Sequence, residues 1–192
     1  MSIFQEIMAT SKSKYAARKA KSLDKKFRPG SYHDVDKVEH IAGVCYVMGE
    51  EEFSLKLVDF LLSKVEFTGN MAVWAGVERG LYLQSAIYKE QGNPELATEC
   101  IERINSRLEE EKPLNRKVFQ RVLNGQMIPR AYEQVENAVD EKSECAWRMG
   151  LFKDLLKIRE MGGGEEFSAQ RADDEIKENM IRLTELAKKY YK

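Results

Sequence analysis

The chain carries few residues that interrupt a helix. Its 192 residues include only 4 prolines and 12 glycines, whereas a β-sandwich or barrel needs turn residues every ~8–12 positions. Between the breaks, apolar residues recur at i, i+3, i+4 and i+7, the spacing of a helix buried along one side. Strand-like alternation is not sustained anywhere. The pattern predicts an all-α fold. With 43% apolar and 33% charged residues, the composition is that of one ordinary folded domain over 1–192. A domain near this size buries roughly 70% of its unfolded surface and folds without disulfides or a structural metal.

Punctuation divides the chain into eight to nine predicted helices. A basic first helix over 2–27 stops at Arg28-Pro-Gly-Ser31, where Pro29 and Gly30 oppose continuation. Helices from Ser31 to Gly49 and from Glu51 to Glu66 follow, and Thr68-Gly-Asn70 reads as a turn. A long helix then runs from Met71 to Gln91. Asn93, Pro94 and Glu95 suit the start of the next, whose stripe is Ala97, Cys100, Ile101, Ile104 and Leu108. Further helices fill 114–190, with a bend expected near Asp140 to Lys142 and a flexible hinge or linker at Gly162-Gly-Gly164.

Two of the turns share a pattern. Around Gly92 lie Ser85 seven residues before, Tyr88 four before, Ala97 five after and Ile101 four beyond that. Around Gly49 the same places hold Ala42, Cys45, Ser54 and Val58. Small residues there let antiparallel helices approach closely, and the segment 34–108 resembles the tetratricopeptide repeat. The turn glycines are 43 residues apart rather than the family's ~34, and a third unit around Gly150 puts Arg159 in a large apolar place. The resemblance implies antiparallel α-hairpins in a tetratricopeptide-like array; the alternative is an irregular helical bundle. In such arrays the first helix of each hairpin lines a concave, peptide-binding surface. Trp74, Tyr82 and Tyr88 are the candidate partner-binding residues on that reading.

Catalytic sets are hard to assemble. The two histidines, His33 and His40, lie near Asp36, and Asp36 with His40 are four residues apart on one helix face. That spacing offers metal ligands, and with acids from another helix a metal-dependent hydrolase. A polar helix start with acids near the positive dipole end is the simpler account. No Gly-x-Ser-x-Gly elbow is present, and Gly162-Gly-Gly164 lacks the Lys-Ser/Thr of a phosphate loop. No cofactor, no metal and no enzymatic activity are expected.

Total charge is −1, yet it is unevenly spread. Met1 to Gly30 carries a balance of +6, from Lys12, Lys14, Arg18, Lys19, Lys21, Lys25, Lys26 and Arg28 against two acids, while Ser31 to Gly92 carries −5. A basic helix of this kind either lies over the acidic middle or contacts phosphate, which makes nucleic acid an alternative partner. The cysteines Cys45, Cys100 and Cys145 are odd in number and sit in helical stripes, as expected of reduced core residues in the cytoplasm. The first 30 residues lack the apolar run of a secretory signal, and Glu6 and Asp24 interrupt a presequence-like reading. No stretch approaches the ~18 apolar residues of a membrane span. The expected function is a non-enzymatic protein-interaction or regulatory adaptor module that binds a protein or peptide, with no membrane contact.

Overall fold

The computed structural model describes residues 1–66 and 71–192. Among the described residues the chain forms ten α-helices and no strand: α1 (Ile3–Thr10), α2 (Lys14–Leu23), α3 (Tyr32–Val47), α4 (Glu51–Lys64), α5 (Met71–Glu90), α6 (Pro94–Glu109), α7 (Pro113–Leu123), α8 (Ile128–Glu136), α9 (Glu141–Glu160) and α10 (Ala169–Tyr190). The all-α expectation is met. The turn read at Thr68-Gly-Asn70 lies outside the described residues.

Two boundaries differ from the sequence reading, both because of short polar side chains. The stretch 2–27 is two helices, broken at Ser11-Lys-Ser13. There Ser13 Oγ accepts the backbone N–H of Ala16 and caps α2, while its hydroxyl donates to the carbonyl of Tyr191. Ser11 donates to Glu50. These hydroxyls offer the backbone an alternative to the helical ladder. The expected bend near Asp140 is likewise a full break, because Asp140 accepts the N–H of Ser143 and starts α9 afresh.

Helix ends use one device repeatedly. At Gly49, Gly92, Gly125 and Gly162 the chain turns with φ of +73 to +85°. Each time the following N–H reaches back to the carbonyl five residues before it, as from Glu50 to Cys45 and from Asn93 to Tyr88. This double-bonded cap needs a left-handed residue, which glycine supplies without strain. The three glycines at 162–164 do not form a linker. Gly163 bridges to Ser168, and Asn124 Oδ1 accepts the N–H of Glu165. A Cβ on Gly164 would fall 2.1 Å from Asn124 Oδ1. That turn is docked against the end of α7.

The helices assemble as hairpins around one core. Three-residue turns join α3 to α4 and α5 to α6, and each pair packs along its length. Helices α3 and α5 run side by side in the same direction: Arg79, midway along α5, meets Asp36 in the first half of α3, and Tyr46 donates to Glu90 near the ends of both. They approach so closely that a Cβ on Gly76 would lie 2.7 Å from Val35. Helix α9 lies over both, with Phe152 stacked on Tyr46 at 5.7 Å. Helix α10 returns antiparallel along α9, pairing Asp173 with Arg159 and Arg182 with Glu144. Bonds from Ser13 and Tyr15 to Tyr191 then tie the α2 start to the α10 end.

Candidate functional site

The contact between α3, α5 and α9 is charged as well as apolar. Three buried glutamates mark it: Glu39 on α3, Glu78 on α5 and Glu160 on α9. Glu39 pairs with Lys153 at 2.8 Å and Arg79 at 3.3 Å. Glu160 accepts from Ser85 at 2.6 Å and pairs with Lys89 and Arg159. Buried carboxylates persist only when paired and hydrogen-bonded. This seam satisfies that condition, so α9 is held on α3 and α5 by matched charge as well as packing.

At one end the seam opens into a cleft between α5, α6, α7 and α9, of about 120 Å³. Its floor is a closed ion network. Arg107 of α6, with 4% of its side chain exposed, contacts Glu78 and Glu111 at 2.5 Å each. Tyr82 and Lys157 donate to the other Glu78 oxygen at 2.9 Å, and Asn115 donates to Glu111 at 2.7 Å. Burial alone would raise the Glu78 carboxyl, but Lys157 and Arg107 outweigh it and hold its pKa below the ordinary value. Two carboxylates and two cations leave the floor without net charge. Both oxygens of each carboxylate accept hydrogen bonds, which suits a rigid polar base better than a free acid or base.

The walls are apolar. Trp74, Leu108, Phe119 and Val122 line them, and the Lys157 ammonium lies 4.2 Å from the Phe119 ring centre. On the rim Val118 is 51% exposed. One turn before it on α7, Leu114 is 70% exposed. Only Leu123 of α7 is fully buried, so this helix offers much of its apolar face to solvent.

The aromatic residues expected to bind a partner do not form one patch. Trp74 lines the cleft, partly buried. Tyr82 is 1% exposed, with its hydroxyl given to Glu78, so it supports the floor and does not face a ligand. Tyr88 lies fourteen residues, or about 21 Å, beyond Trp74 along α5, where Gln84 donates to its hydroxyl. The face of α3 and α5 on which a peptide was expected is covered by α9.

His33, Asp36 and His40 are not brought together. His33 is exposed beside Tyr32, Asp36 is taken by Arg79, and His40 packs against Tyr15 and Tyr191, 3.5 Å from the Lys153 ammonium. No group of three or more His, Cys, Asp or Glu placed to hold a metal occurs among the described residues. Burial, reinforced by Lys153, pushes the His40 imidazole down to about 4. The unfolded chain therefore binds a proton here that the folded protein does not, and stability falls as pH drops below ~6.5. Between pH 7.5 and pH 5 this site should cost about 2 kcal/mol. Urea titrations at both pH values should show that loss in the wild type and its absence in His40→Gln; equal pH dependence of the two would contradict it.

The cysteines are free and buried, and burial raises the thiols of Cys45 to about 12 and Cys100 to about 11. The basic residues of 12–28 lie on or beside α2. Lys14, Arg18, Lys21 and Lys25 are exposed, Arg18 and Lys19 sit near the Tyr15 ring, and Arg28 pairs with Asp34 at 2.9 Å. No helix among the described residues is long and apolar enough to cross a membrane.

Sequence reasoning missed Glu78, Arg107, Glu111 and Lys157. A signal was present. Arg107 and Glu111 continue the spacing of the apolar stripe Ala97, Cys100, Ile104, so charges occupy positions where that face demands burial.

Fold and site together define an all-helical protein of packed hairpins with a neutralised ionic floor beneath an apolar cleft. The chain belongs to the family described as "Family of unknown function (DUF6707)", which it matches over residues 1–185. No curated protein and no solved structure matches it.

Proposed function

We propose that the protein is a non-enzymatic interaction module, built of tetratricopeptide-like hairpins and working in the cytoplasm, that holds a protein or peptide partner in the cleft between α5, α6 and α7. The observation that carries this reading is the exposure of Val118 on the lip of a cleft whose charged floor is already neutral, with exposed Leu114 one turn before it on α7. An apolar cavity of ~150 Å³ accommodates a benzene ring, so about 120 Å³ suits a single large aliphatic or aromatic side chain. The partner is thus a short segment with one such anchor, the arrangement typical of an interface hot spot. The pairing of small residues at the Gly49 and Gly92 turns supports the repeat-like reading, and α9 occupies the inner face where a repeat array otherwise seats its ligand. Three buried, free cysteines support the compartment.

Selection from a displayed library of random peptides tests the reading. Bound peptides should share one large apolar residue, and Val118→Asp and Trp74→Ala should each weaken binding by at least tenfold while far-UV circular dichroism stays unchanged. Peptides without a common anchor, or peptides bound equally well by Val118→Asp, would contradict it.

A further inference from the structure

The basic helix α2 packs on α3, yet most cations of the basic segment do not pair with the acidic middle of the chain. Of the eight cations from Lys12 to Arg28, only Arg28 enters an ion pair among the described residues, with Asp34. The acidic middle is instead matched from α5, α6 and α9: Asp36 and Glu39 by Arg79 and Lys153, Glu78 by Arg107 and Lys157. Acids close to α2 are also occupied. Glu6 pairs with Lys56, and Glu50 accepts from the Ser11 hydroxyl and the Lys12 N–H.

Lys14, Arg18, Lys21 and Lys25 follow one another at four, three and four residues, so they form a single stripe along α2 and the turn after it. All four are exposed. The opposite side of α2 is spent on the core through Ala16, Ala20 and Leu23.

We infer that this stripe is a sequence-independent binding surface for the phosphate backbone of nucleic acid. Three observations select that partner. An anionic membrane would call for an apolar wedge on the same helix, and the apolar side of α2 is buried. A protein partner would call for an apolar or aromatic anchor on the face, and the nearby aromatic, Tyr15, is turned against His40 and Tyr191. A phosphate backbone needs only repeated positive charge. The stripe supplies it over about 17 Å, a length of duplex carrying about ten phosphate charges. The whole-molecule charge of −1 does not cancel this, because screening limits each charge to a range of about 10 Å.

Fluorescence anisotropy with a labelled DNA strand, its duplex and the matching RNA tests the inference. Four phosphate contacts predict that affinity falls about 100-fold between 50 and 200 mM salt. Lys14→Gln, Arg18→Gln, Lys21→Gln and Lys25→Gln combined should reduce affinity at 50 mM salt by at least 100-fold, and replacing the three lysines by arginine should preserve it. An unchanged thermal melt shows that the fold survives. Failure of all three nucleic acids to bind at 50 mM salt, a salt-independent affinity, or binding of phosphatidylserine vesicles or polyglutamate in their place would overturn the inference. Val118→Asp should leave this binding intact, which separates it from the cleft.

Discussion

Replacing Arg107 by methionine should destabilise the protein by about 3–5 kcal/mol, the cost of leaving a buried charge without its partner. Arg107 bridges Glu78 and Glu111, and all three side chains are nearly solvent-free. Without it Glu78 keeps Lys157 and Tyr82, whereas Glu111 keeps only the Asn115 amide among the bonds described here. Glu111 is then the group in difficulty. Adding Glu111→Leu removes the stranded charge and should recover about half of the loss. Urea unfolding of the single and double variants measures both effects. A single-variant cost below 1 kcal/mol would mean that water reaches the floor freely.

Gly125→Ala should cost about 2–5 kcal/mol, well above the same substitution at Gly92. The two glycines end their helices with nearly identical φ, +73° and +74°, and forcing alanine into that region costs roughly 1–2 kcal/mol at either place. Their surroundings differ. A Cβ on Gly92 meets nothing within 4 Å, whereas on Gly125 it would fall 2.3 Å from the ring of buried Phe167. Relieving that overlap moves the Phe167 side chain or the docked 162–164 turn, adding about 1–3 kcal/mol. Thermal denaturation of the pair separates backbone strain from packing, and equal losses would show that Phe167 yields without cost.

Much of the helical architecture was legible because it rests on local chemistry. Pro94 at a helix start and Gly49 and Gly92 at helix ends act through their own backbones, and the stripe of α6 is fixed by burial along one face. The breaks at Ser13 and Asp140 were less legible, because a serine or aspartate caps a helix only when its side chain turns back on the backbone, and at Ser13 the carbonyl of Tyr191, far off in sequence, is part of the arrangement. Gly162-Gly-Gly164 looked like a linker for the same reason: its rigidity comes from Asn124 and Ser168. The candidate site was largely hidden. Trp74 was singled out and does line the cleft, but Tyr82 was misplaced because helical spacing alone cannot say which side α9 covers. The ion network joins α5, α6 and α9, and its pairings arise only when those helices meet.

The proposed grip of the α5/α6/α7 cleft on an apolar anchor of a partner has a direct test. Incorporating a photo-crosslinking amino acid at Leu114, one turn from the cleft residue Val118, in the protein expressed in its native host, tests it, with exposed Glu178 on α10 as the control position. A discrete crosslinked partner is expected at Leu114, mapped to a segment with a large apolar residue, lost when Val118→Asp is added and not obtained from position 178. Crosslinking that is unaffected by Val118→Asp, or identical from both positions, would contradict it.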